Sequence, residues 1–444
     1  MKIVTKIEFK QTDLGTIPEE WEIVSLGDVC SKIGSGITPR GAEKVYKQSG
    51  IALIRSQNVY NNSFRKEGLV YLDEATAREM ENVAVEKEDV LLNITGDSVA
   101  RCCTVPEEIL PARVNQHVSI IRTDEGELNP VFLRYYLTNP RMQATMLSLG
   151  ESGGTRNALT KGMIERFLVP KPALLEQTEI ARVLSNLDSR IELNQQMNRT
   201  LEAIGTAIFN HWFIVFEFSS DAGRPYKSSG GQMVDSEIGQ IPEDWKVAEL
   251  PKVASVIDCL HTKKPEECVS DFLLLQVYNI SVDEGTIDLT EKYTVSRSDY
   301  DAWTKNIEVR SGDCIITNAG IVGAIAQIPV DFAGGIGRNI TAIRPEHVPP
   351  TYLLRYLMSN HGQKEIEKNT DQGTIFDSLN VKGIRKLRIL IPPEEILAQF
   401  ELSSRPLRER VERNNLENAS LKDIRDSLLP KLMSGKIRVP LEVR

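Results

Sequence analysis

The stretch LLEQTEIARVLSNLDSRIELNQQMNRTLEAIGTAIFNHW, residues 174–212, decides the fold. Its apolar residues Ile180, Leu184, Leu187, Ile191, Leu201 and Ile208 follow alternating steps of four and three, the seam of a long packed helix. Two seam positions, Asn194 and Asn198, are polar instead. A second seam runs through Phe400, Leu407, Val411, Asn414, Asn418, Leu421 and Leu428, and its Asn414, Asn418 and Leu421 each lie 220 residues after Asn194, Asn198 and Leu201. A seam this narrow is not buried by a loop, so two of them in one chain are expected to bury each other. With the helices crossing antiparallel on a two-fold axis, Asn194 and Asn414 near their midpoints face one another. Asn194, Asn198, Asn414 and Asn418 then form a polar layer that fixes register at some cost in stability. Pro406 suits a first helical turn and breaks an interior, which predicts that the second helix begins late.

Outward from the helices the chain repeats. Leu14-Gly15-Thr16-Ile17-Pro18-Glu19-Glu20-Trp21 returns 224 residues later as Ile238-Gly239-Gln240-Ile241-Pro242-Glu243-Asp244-Trp245, a turn feeding a strand with Trp as core anchor. Phe132-Leu133-Arg134-Tyr135-Tyr136-Leu137 returns as Leu353-Leu354-Arg355-Tyr356-Leu357-Met358, and Gly154-Thr155 is answered by Gly373-Thr374. So long a period marks a duplicated domain rather than a solenoid. Between these anchors residues 31–113 and 257–338 diverge almost completely, and their short apolar runs bounded by turn residues predict strands of an irregular mixed fold. The expected fold class is α+β. Two globular mixed α/β domains, related by pseudo-two-fold symmetry, are joined by two long antiparallel helices in a coiled coil. The expected boundaries are an arm over 1–11, a first domain over 12–172, a helix over 173–212 and a linker over 213–234. A second domain over 235–393, a helix over 394–435 and a tail over 436–444 complete the chain.

Composition narrows the function classes. With 444 residues, 41% hydrophobic and 26% charged, the chain can bury more than one core. It has no apolar run of membrane-spanning length, and Met1-Lys2-Ile3-Val4-Thr5-Lys6 lacks a signal-peptide core, so a cytoplasmic protein with no membrane contact is expected. Six cysteines include no C-x-x-C pair and there are only five histidines, so no metal site is expected. The net charge of −9 argues against a simple nucleic-acid binder unless local patches supply the contacts and partner subunits neutralise the backbone.

No catalytic frame emerges. Asn129-Pro130-Val131-Phe132 lies near the loop with which DNA amino-methyltransferases hold a flipped base, but it lacks the second Pro and a Gly-rich cofactor loop. It reads as the start of a helix. Gly34-Ser35-Gly36 lacks the lysine of a phosphate loop, and no G-x-S-x-G is present. Helices of this length span roughly 50 Å, a scale on which a two-headed spacer could read two separated DNA half-sites.

The two I-P-E-[ED]-W runs, the residue 154–170 and 373–392 stretches, Leu175-Glu176-Gln177, the Trp212-Phe213 ending and Leu429-Pro430-Lys431-Leu432-Met433-Ser434-Gly435-Lys436-Ile437 carry a resemblance. Together they resemble the specificity subunit of type I restriction-modification enzymes, over nearly the whole chain. The resemblance implies two target-recognition domains, each binding one half of a split, asymmetric sequence in double-stranded DNA, with the helices as the ruler between them. It implies assembly with two DNA-methylation subunits and, in the restricting complex, two motor and nuclease subunits. S-adenosylmethionine, ATP and Mg would serve those partners, and this chain would carry no cofactor or catalysis.

Base reading needs side chains that form paired hydrogen bonds, Arg or Lys to guanine and Asn or Gln to adenine. In the first divergent segment Arg55, Ser56, Gln57 and Asn58 follow an apolar run, joined by Arg40, Arg101, Asn115, Gln116, Arg156 and Asn157. In the second the set is Gln276, Tyr278 and Asn279, with Lys263, Lys264, Asn318, Arg338 and Asn339. Two other readings compete: a self-contained methyltransferase or nuclease with duplicated lobes, and an adaptor whose lobes bind proteins.

Overall fold

A computed structural model describes residues 8–151, 158–219, 223–373 and 377–440. The chain divides into two compact units, one running to Arg190 and resuming at Leu421, the other spanning Ile191–Ser420. The two long helices, Leu174–Phe213 and Glu394–Met433, pack together, and each unit holds part of both.

In the first unit an antiparallel sheet has the order Cys102–Thr104, Val90–Asn93, Val118–Thr123, Cys30–Ser35. A second has the order Val70–Leu72, Ile51–Ile54, Ala112–Val114, Ala84–Val85, with its central pair parallel. All four residues of Val90–Asn93 are buried, which is why that strand reads as an apolar run without alternation. Asn129 caps the helix Pro130–Thr138, accepting from the Val131 and Phe132 amides, with Pro130 at the first helical turn. The suspected base-holding loop is therefore a helix start.

The second unit repeats this order, except that among the described residues its second sheet has no strand corresponding to Val70–Leu72. One sheet runs Ile325–Gln327, Cys314–Thr317, Ile340–Pro345, Ala254–Asp258; the other runs Leu274–Leu275, Ala333–Ile336, Val309–Arg310, its first pair parallel. The segments whose residues diverge thus share one topology. They also share a buried fork: Arg122 grips Asp89 with Nε and Nη2 at 2.8 Å, and Arg344 grips Asp313 at 2.9 and 2.6 Å. Both aspartates are at most 2% exposed. Each also accepts a backbone amide, from Glu86 and Arg310 respectively, so the buried charge is paired and fully bonded.

The two repeated tryptophans are core anchors. Trp21 is 1% exposed and donates its indole N–H to Glu176, which Arg438 holds with two further bonds. Gly435, at φ +67°, lies so close to Pro18 that a Cβ would clash, so the turn ending the second helix seats directly on this motif. In the second unit Phe213, Phe216 and Phe218 pack on Trp245 at ring distances of 5.7, 5.5 and 5.0 Å. The segment after one long helix covers each tryptophan.

Within the second unit Asn194 meets Asn418 at 3.0 Å, Asn198 meets Asn414 at 2.7 Å, and Phe209 meets Phe400, so rising numbers on one helix face falling numbers on the other. The pairing is antiparallel. Asn198 also donates to Asn415 at 2.7 Å, while the buried Oδ1 atoms of Asn194 and Asn414 keep no partner. In the first unit Asp188 of one helix receives Arg425 of the other at 2.8 Å and the Tyr135 hydroxyl at 2.5 Å.

One expectation needs correction. The second helix does not begin late: it starts at Glu394 and runs through Pro406. Pro406 lies on the exposed side, as does Leu402, whose carbonyl loses its helical donor, while Leu397, Phe400, Ser404 and Arg408 bury the opposite side. Some helix charges are buried. Arg408, 3% exposed, sits among Glu202, Glu412 and the Gly285 carbonyl, and Glu202 also receives Arg355 at 2.6 Å.

Replacing Asn194 and Asn414 by Leu removes two buried acceptors and the layer that distinguishes one register from its neighbours. The double variant should melt higher but with a broadened transition and mixed hydrogen-exchange protection along both helices; one sharp transition with wild-type protection would show that other contacts set the pairing. Glu401 offers a pH test. Its carboxylate accepts from Thr351 at 3.2 Å, its second oxygen is buried without a partner, and burial holds its pKa above the ordinary value. Below about pH 4.5 both folded and unfolded states are protonated, and stability is lost as pH rises through the folded value. Glu401→Gln should therefore match the wild type in acid and exceed it increasingly toward neutral pH in chemical denaturation, whereas a pH-independent difference would contradict the assignment.

Candidate nucleic-acid interface

Three turns at strand ends meet in the first unit. They follow Ile51–Ile54, follow Val90–Asn93 and precede Val118–Thr123, and they line a cleft of about 420 Å³. Its walls include Ser56, Gln57, Tyr60, Thr95, Arg101 and His117. Sequence-predicted Ser56, Gln57 and Arg101 are thus brought together. Asn115 and Gln116 adjoin through His117: Asn115 Oδ1 accepts the His117 amide at 3.1 Å, and Gln116 Nε2 lies 3.2 Å from the imidazole. The other imidazole nitrogen is 2.6 Å from the Thr95 hydroxyl, so both faces of His117 are tied to cleft residues.

Tyr60 is the platform of this cleft. The Arg65 guanidinium lies 3.9 Å and that of Arg101 4.6 Å from its ring centroid. Two cations on one aromatic ring, next to hydroxyl and amide groups, offer phosphate neutralisation and paired donors to a base edge.

Some predicted contacts have other work. Asn58 is fully buried, accepts the Arg55 amide at 3.0 Å and donates to the Arg65 and Glu67 carbonyls. Asn279 does the same for Gln276, Asp288 and Glu291. These asparagines close the same 3-10 turn in both units, and their burial removes them from base contact. Arg55 donates to the Gly68 carbonyl at 2.6 Å and lies over Tyr46, so it braces a loop. Gln276, 8% exposed, donates to the Leu274 carbonyl. Asn318 is bonded to Thr341 and the Leu379 carbonyl. Arg40 is exposed but does not line the cleft, and Arg156 and Asn157 lie outside the described residues. Gly36, which the sequence reading did not assign to a phosphate loop, lies so close to the Val114 carbonyl that any Cβ would clash.

In the second unit the groups left open are Tyr278, Lys263, Lys264, Arg338 and Asn339, all exposed. The Lys264 ammonium sits 3.6 Å above the Tyr293 ring, and Asn339, at φ +64°, holds a tip whose carbonyl accepts the Asn318 amide at 2.8 Å. Sequence reading missed Tyr60, Arg65, Thr95, His117 and Tyr293. Aromatic residues interleaved with basic ones at the ends of buried strands were the available signal.

Burial pushes the Cys30, Cys103 and Cys314 thiols up to about 12, far from thiolate chemistry at neutral pH. No helix among the described residues is long and apolar enough to cross a membrane.

Comparison with known proteins agrees with this geometry. The sequence model of the type I restriction modification DNA specificity domain matches residues 18–203. The type I restriction enzyme MjaIX specificity subunit of Methanocaldococcus jannaschii is 26% identical over 447 residues, covering 99% of this chain and 98% of that one. The HindI specificity subunit of Haemophilus influenzae is 23% identical over 469 residues, covering 94% and 100%. Among solved structures, the type I restriction-modification S subunit from M. genitalium has the same fold at a TM-score of 0.59 and 14% identity, over 96% of this chain and 99% of that one. With a domain model matching residues 18–203, relatives 23–26% identical over nearly the whole chain and a shared fold, the chain is similar to the type I restriction-modification specificity subunits.

Proposed function

We propose that this chain reads a bipartite, asymmetric DNA sequence, one half with each unit, and that the paired helices set the spacing between the halves. The observation that carries this reading is the repeated strand order with unlike residues at the equivalent turns. One unit presents Gln57, Tyr60, Arg101 and His117; the other presents Tyr278, Lys263, Lys264, Arg338 and Asn339. A common scaffold with two different sets of donors suits two different words.

Methyl transfer then belongs to two partner methylation subunits using S-adenosylmethionine, and cleavage, where present, to two motor and nuclease subunits using ATP and Mg. The complex works in the cytoplasm, where the DNA is. The overall charge of −9 fits a reader whose partners supply much of the backbone neutralisation.

Arg101 is the sharpest test, because it stands in the cleft with its guanidinium stacked but with no acceptor holding it. In the assembled methyltransferase, Arg101→Ala should weaken binding to the cognate duplex by about 1–3 kcal/mol and leave binding to duplexes altered in that half-site nearly unchanged. Equal weakening on every duplex would assign Arg101 to a phosphate, and no change on any would remove the cleft from the interface.

A further inference from the structure

We propose that the second unit holds one divalent cation of the zinc class at Asp258, Cys259 and His261. These residues close the strand Ala254–Asp258, and a carboxylate oxygen, the thiol sulfur and an imidazole nitrogen lie within 4.8 Å of one another. One oxygen, one sulfur and one nitrogen form a donor set that borderline cations such as Zn²⁺ accept. Three protein ligands leave the fourth tetrahedral position to water.

The surroundings are those of ligands rather than of loose side chains. Cys259 is 4% exposed and directly follows Asp258, which pairs with Thr341 on the neighbouring strand. Asp258 Oδ1 accepts the Cys259 amide at 2.9 Å, and Oδ2 lies 2.8 Å from His261 Nε2, so the carboxylate and imidazole already converge. The first unit provides an internal contrast: its matching strand ends in Ser35 and Gly36 and carries no such set. The cation would therefore serve one reader only, pinning the exposed turn that carries Lys263 and Lys264.

Sequence spacing missed this site because no C-x-x-C pair marks it. Its existence does not depend on which DNA groups the turn contacts. The test is a Co²⁺ titration of the full-length chain after removal of metal by a chelator. The wild type should bind one equivalent and show a sulfur-to-cobalt charge-transfer band that Zn²⁺ abolishes. The band should be absent in Cys259→Ser, unchanged in Cys268→Ser, and should need about tenfold or more Co²⁺ in His261→Ala. His261 is 66% exposed, so that variant leaves the core intact. No band in the wild type, a band that survives Cys259→Ser, or wild-type affinity in His261→Ala would overturn the proposal.

Discussion

The pairing of two long helices through seams interrupted by asparagine is the constraint on which the rest of the structure depends. Each seam is too narrow to be buried except against the other. The polar breaks at Asn194, Asn198, Asn414 and Asn418 then bond across the pair, and two buried oxygens stay without partners. Such a layer stabilises less than leucine would, but a shift by one turn would leave two of the four amides facing apolar seam positions such as Val411 or Leu421. Arg408 with Glu202, and Asp188 with Arg425, add charge pairs between the helices that only this alignment satisfies.

From that frame the two units inherit a common plan. Each anchors a tryptophan under the segment that follows a long helix, and each carries an Arg–Asp fork across its antiparallel sheet. Each closes a turn with a buried asparagine. These are scaffold interactions, fully satisfied and remote from solvent. The tips beyond them differ: Tyr60 gathers two guanidinium groups in one unit and Tyr293 a single ammonium in the other. On the proposed reading, the recognised word changes at such tips while the bonds that hold the sheets stay fixed.

How much of this was legible in the sequence depended on what each signal measures. The helices were plain from steps of three and four, because periodicity reports burial directly. Pro406 misled, since propensity says nothing about which side of a helix faces water. The shared strand order was invisible because the two segments conserve burial and hydrogen-bond geometry rather than residues. Asn58 and Asn279 looked like base readers for the same reason they make good turn closures: a short amide binds backbone as readily as it binds adenine. His117 was passed over because its Thr95 partner is set by strand pairing, and the Asp258, Cys259 and His261 group because no C-x-x-C pair marks it.

The central claim is the proposal that this chain carries two unlike DNA readers held at a fixed spacing. It is tested most directly by mapping every methylated position in DNA modified by the assembled methyltransferase that contains this chain. A single split sequence is expected, with two different half-sites and a gap of one fixed length. A continuous motif, a palindrome or a gap of variable length would contradict it.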